Sequence, residues 1–125
     1  MTKLTLTQIN EYNKDGFIAP INILTSSEAK EIRNEIEFIE SNNPNQIEKA
    51  DRYNAHLISP LLDKVVHNSN ILDAVEAIIG TNILVCGTTL FIKNPKENGF
   101  VSFHQDAKYI GLEPHNWVTV WVAIT

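Results

Sequence analysis

Trp117-Val118-Thr119-Val120-Trp121-Val122-Ala123-Ile124-Thr125 has no helical period. It is dense in β-branched and aromatic residues, the types that fit a pleated, half-buried surface, so the run is predicted to be a strand. Going back along the chain, 111–116 contains Gly111 and Pro114 and reads as a loop. Phe100-Val101-Ser102-Phe103-His104-Gln105-Asp106 alternates apolar and polar well enough for a second strand. Asn94-Pro95-Lys96-Glu97-Asn98-Gly99 is a turn cluster, and 83–92 is another apolar, β-branched run.

The first 80 residues have a different character. In 25–41, Ala29, Ile32, Ile36 and Ile39 recur at spacings of three and four, with Lys30, Glu31, Asn34, Glu35 and Glu37 between them. That is an amphipathic helix with Thr25 or Ser26 as its cap. A shorter helix is predicted over 7–15, stopped by Gly16. Two more follow, one over 59–67 and one capped by Ser69 or Asn70 that runs to Gly80 through Ile71, Leu72, Val75, Ile78 and Ile79. The polar stretch 42–54 between them reads as a loop. Helices first and strands afterwards argue an α+β fold, with helices packed on a sheet or sandwich.

Length and composition limit the rest. With 125 residues, 43% hydrophobic and 20% charged, the chain has the size and balance of one folded domain. A net charge of -5 and no basic cluster exclude nucleic acid as the expected partner. No run approaches the roughly 18 apolar residues of a membrane span. Met1 to Gln8 lacks the apolar core of a secretory signal. A cytoplasmic location is therefore expected. The single cysteine, Cys86, sits in an apolar run and is expected to be a small buried hydrophobe.

His104-Gln105-Asp106 carries the chemistry. On a strand alternate side chains share a face, so His104 and Asp106 are expected to point the same way. An imidazole nitrogen beside a carboxylate oxygen suits a divalent metal. Two histidines and one carboxylate form the facial triad of non-haem Fe(II) oxygenases. The tripeptide by itself is common; its surroundings give it weight. Asp15-Gly16-Phe17, Leu72-Asp73-Ala74-Val75-Glu76 with Ile79-Gly80, Leu90-Phe91-Ile92-Lys93-Asn94-Pro95, His104-Gln105-Asp106, and Trp117 to Ala123 stand in an order that resembles the phytanoyl-CoA dioxygenase family over nearly the whole chain.

The resemblance implies a double-stranded β-helix (jelly-roll, cupin-like) core behind N-terminal helices. It also implies Fe(II), 2-oxoglutarate as cosubstrate, and O₂-dependent hydroxylation of a small organic or lipid-like substrate, with succinate and CO₂ as co-products. Matched residue by residue, His104 and Asp106 are two of the iron ligands. Gln105, Trp121 and Leu90 correspond to positions near the cosubstrate. Asn54 and His56 stand where many relatives have K-x-H-L. The lysine is absent here, which leaves Arg52 or His56 to supply a positive or donor group. Phe103 stands where relatives often have Trp. Relatives that halogenate have a small residue at the position of Asp106, so its carboxylate points to hydroxylation.

The family's second iron histidine and its cosubstrate-binding arginine would fall after Thr125. The expectation is one oxygenase domain over 1–125, truncated at its C-terminus, with 1–80 mainly helical and 81–125 holding the first core strands. A small complete α+β domain is the alternative. On the functional side, the alternative to an oxygenase is an inactive remnant or a small metal- or ligand-binding module. His115, a loop residue, is the other histidine available as a third ligand. His67, at a helix end, reads as a charge placed favourably on the helix dipole.

Overall fold

The computed structural model describes residues 3–43, 52–93, 95–96 and 98–125. Five α-helices stand along them: α1 (Leu6–Asp15), α2 (Ser26–Asn42), α3 (Pro60–Val66), α4 (Ser69–Ile79) and α5 (Ala107–Ile110). A 3-10 turn, Ala55–Leu57, precedes α3.

The helix starts are written in the local sequence. The Thr5 hydroxyl accepts the Gln8 N–H, and the Gln8 side chain accepts the Thr5 N–H. Thr25 and Glu28 repeat this reciprocal cap on α2, with the Thr25 N–H donating to Glu28 at 2.7 Å. Each pair satisfies backbone donors that a helix start otherwise leaves to water. Gly16 closes α1 at φ 79, a left-handed conformation that glycine adopts without steric cost, and its N–H donates to Tyr12. Ser59 caps α3 ahead of Pro60. Asn68 caps α4 by accepting the Asn70 N–H at 2.9 Å, so the cap falls one residue before the expected Ser69 or Asn70.

The apolar stripe of α2 faces the core as its period requires. Ile32 is 2% exposed and packs with Ala55 and Leu62. Leu24, Ile36, Leu61, Val65, Leu90 and Ile124 close around them. Leu90 and Ile124 come from the two β-prone runs, so the late segments do pack on the helices. On α4, Ile71, Ala74 and Val75 are buried.

The expected strand pairing is not formed. Among the described residues there is one isolated antiparallel bridge, Tyr53 with Thr89, and no continuous strand. The Leu90 N–H donates to the Arg52 carbonyl at 2.9 Å, and the Asn54 N–H donates to the Thr88 carbonyl at 2.7 Å. The jelly-roll core expected from 83–92, 100–106 and 117–125 is thus absent from the described residues. The physical reason is that strand propensity expresses a fit to a neighbouring strand and a half-buried face. Leu84, Phe100, Phe103 and Trp121 are all exposed, with no sheet beneath them. Cys86 is exposed as well, contrary to the expected burial, because its run lies outside the helical core. Residues 44–51 of the expected loop, and Asn94 and Glu97 of the turn cluster, lie outside the described residues. Pro95 and Lys96 form a turn.

Candidate metal and cosubstrate site

The His104 Nε2 stands 2.9 Å from an Asp106 oxygen. The two side chains lie together as expected, but not through strand alternation. Asp106 has helical backbone angles (φ -59, ψ -41) and opens α5, so the chain turns between the two residues. Nδ1–H of His104 donates to the Ser102 carbonyl at 2.7 Å. That bond fixes the ring and turns Nε2 toward Asp106. The Ser102 carbonyl raises the His104 pKa above its ordinary 6.5; desolvation opposes it, and the Asp106 carboxylate adds to the rise.

The second Asp106 oxygen accepts from the Thr119 hydroxyl at 2.5 Å. Thr119 in turn accepts from the indole N–H of Trp117 at 3.1 Å. An indole can only donate, so the direction of the relay is fixed: Trp117 to Thr119 to Asp106. Sequence reasoning missed Thr119 and Trp117. The available signal was a lone hydroxyl on the Trp117, Thr119, Trp121 face of an apolar run.

A second cluster holds the cosubstrate candidates. Asn54 has left-handed backbone (φ 56) and accepts the Thr88 N–H through its side-chain oxygen at 3.2 Å. The His56 Nδ1 and the Thr88 hydroxyl are 2.8 Å apart. A cleft of about 280 Å³ beside them is lined by Tyr53, Asn54, Gly87, Thr88 and Trp117, among others. Trp117 thus belongs both to this cleft and to the relay onto Asp106. Leu90 is next in line on the bridge but turns the other way, into a small apolar cavity with Ile36, Ala55 and Leu62. Trp121 stacks on Phe91 with ring centroids 6.1 Å apart.

The remaining candidates stand elsewhere. Gln105 is exposed. Arg52 directs its guanidinium to Glu40 of α2, 3.9 Å away. His115 is 3.8 Å from Glu113 in its own loop, and His67 pairs with Asp63 one helical turn back. Among the described residues no group of three or more His, Cys, Asp or Glu could hold a metal ion. His104 and Asp106 stand together as a pair, and neither His115 nor His67 joins them. No described helix is long and apolar enough to cross a membrane.

The family model described as phytanoyl-CoA dioxygenase matches residues 12–125. No curated protein and no solved structure matches the chain.

Proposed function

The chain belongs to the phytanoyl-CoA dioxygenase family, and from that premise we propose that it is part of an Fe(II)- and 2-oxoglutarate-dependent oxygenase that hydroxylates a small organic or lipid-like substrate. In this reading residues 1–125 form one unit, with 81–125 supplying segments of the jelly-roll. The observation that carries it is the His104–Asp106 pair: two donors of the right kind, 2.9 Å apart, each held from behind by a hydrogen bond. Bound there, iron would supply activation of O₂ and, with 2-oxoglutarate, the oxidising power for hydroxylation.

The chain's own residues do the positioning. The Ser102 carbonyl fixes which His104 nitrogen is presented. Thr119 occupies one Asp106 oxygen, so a metal would have to take the other, which here faces His104 Nε2. Asn54 and Thr88 line the cleft that Trp117 shares and would offer hydrogen-bonding groups to a carboxylate there, while His56 bonds to Thr88 from outside that lining. Oxygen-dependent formation of succinate from 2-oxoglutarate with added Fe(II) tests the proposal. Turnover that disappears in His104→Ala and Asp106→Ala supports it. No turnover over a broad substrate panel, with metal affinity indifferent to both changes, contradicts it.

A second reading has its own observation. No third ligand stands with His104 and Asp106 among the described residues. A chain that binds metal or 2-oxoglutarate yet never turns over would be a catalytically inactive member of the family or a small binding module.

A further inference from the structure

The run 118–125 presents an unused sheet edge. Ile124 packs on the core of Ile32, Ala55 and Leu62, and Val122 is half-buried, while Trp121, Ala123 and Thr125 are exposed. That alternation is the pattern of a strand with one covered face. None of its backbone N–H or C=O groups has a partner among the described residues. Trp121 is 83% exposed and stacks on Phe91, itself 69% exposed, so an open aromatic pair stands on this edge. The open area is more than a monomer of this size keeps. A folded chain of 14.1 kDa is expected to expose about 6,700 Å². This one exposes 10114 Å², an excess of about 3,400 Å². A stable homodimer needs about 1,000 Å² or more from each partner, well within that excess. Charge narrows the choice of partner. Residues 81–125 hold Lys93, Lys96 and Lys108 against Glu97, Asp106 and Glu113, so the net charge of -5 lies wholly in 1–80. A strongly charged partner finds no complement on this side, whereas two copies of the same neutral face meet without repulsion.

We propose that the chain forms a homodimer in which 118–125 pairs antiparallel with the same run of a second copy, burying Trp121 and Phe91 at the join. Self-pairing of one run is a closed two-fold contact, with the same patch serving both partners. Centred on Trp121, it sets the two indoles opposite each other as a cross-strand aromatic pair. The pairing uses backbone groups alone, so Thr119 keeps its side-chain bond to Asp106. It does not depend on the oxygenase reading.

The test is sedimentation velocity of the 125-residue chain over a micromolar to submillimolar series, paired with amide exchange read by mass spectrometry at both ends of the series. A dimer of twice the 14.1 kDa chain mass is expected to grow in with concentration. Protection in 118–125 is expected to rise with it, while 98–110 stays unchanged. Trp121→Lys and Phe91→Lys place a charge on the edge, a device that blocks strand pairing. Trp121→Lys is expected to weaken dimerisation about thirtyfold, the scale of a lost interface tryptophan. Leu6→Lys, at an exposed site on α1, is expected to dimerise like the wild type. Circular dichroism checks helix content in each variant, and the wild-type exchange data decide without any variant. A chain that stays monomeric throughout overturns the proposal, as does association into a polydisperse series of larger species. So does a dimer whose exchange in 118–125 is unchanged, or one that folded Trp121→Lys and Phe91→Lys proteins form as readily as the wild type, since the contact then lies elsewhere.

Discussion

The side chain of Asp106 shows how much depends on single contacts here. One oxygen faces His104 and the other is taken by Thr119. A metal ligand whose free oxygen is hydrogen-bonded keeps its orientation, and loss of such support commonly costs about 10–100-fold in metal affinity. Thr119→Val keeps the shape and removes the donor, so it is expected to weaken metal binding by about tenfold on that scale, with Thr119→Ser restoring it. Equal affinity in all three proteins, measured by calorimetry, would remove Thr119 from the site. The pair itself was legible in the sequence, because spacing by two is a local property. Thr119 was not, because it meets Asp106 only after the chain has made α5 and the following loop.

The helices were the most legible elements, since a helix is specified by period and caps that lie within a few residues. Glu28 illustrates the caps: the Thr25 N–H, and then the Thr25 hydroxyl, hold its carboxyl below the ordinary 4.5. A carboxyl depressed on folding stabilises above its unfolded pKa, and that contribution is lost as pH falls through the folded value. Thermal melts from pH 7 downward should therefore show the wild-type protein losing an advantage over Glu28→Gln as Glu28 protonates. A constant difference across that range would contradict the cap. Thr25→Ala should cost about 1 kcal/mol, as N-cap removals typically do. The late runs were read as strands, and the pairing expected of them is not formed among the described residues. Residues 83–92 and 117–125 have the composition, but a ladder needs a partner supplied from far along the chain, and among the described residues only the Tyr53–Thr89 bridge is made. Amide exchange should follow this difference. Protection is expected in α2, α3 and α4, with fast exchange through most of 98–125, where few backbone N–H groups have a partner. Uniform protection across 98–125 would show that a sheet forms after all.

At the scale of the molecule, a small core around Ile32, Ala55 and Leu62 coexists with large apolar side chains left on the surface. The two sets should respond differently to truncation. Ile32→Ala opens a void at a site 2% exposed, and it is expected to cost about 2–5 kcal/mol in urea unfolding. Phe103 is fully exposed, so Phe103→Ala should change stability by less than about 0.5 kcal/mol. A large loss at Phe103 would mean that it is covered in solution. The family assignment and this partial fold meet at one place, the turn into α5 that brings His104 to Asp106. The most direct test of the account is an anaerobic Fe(II) titration of the 125-residue chain against its His104→Ala/Asp106→Ala double variant. The account predicts saturable binding by the first and at least a tenfold weaker interaction in the second, a change of about 1.4 kcal/mol or more. Identical isotherms for the two proteins would contradict it.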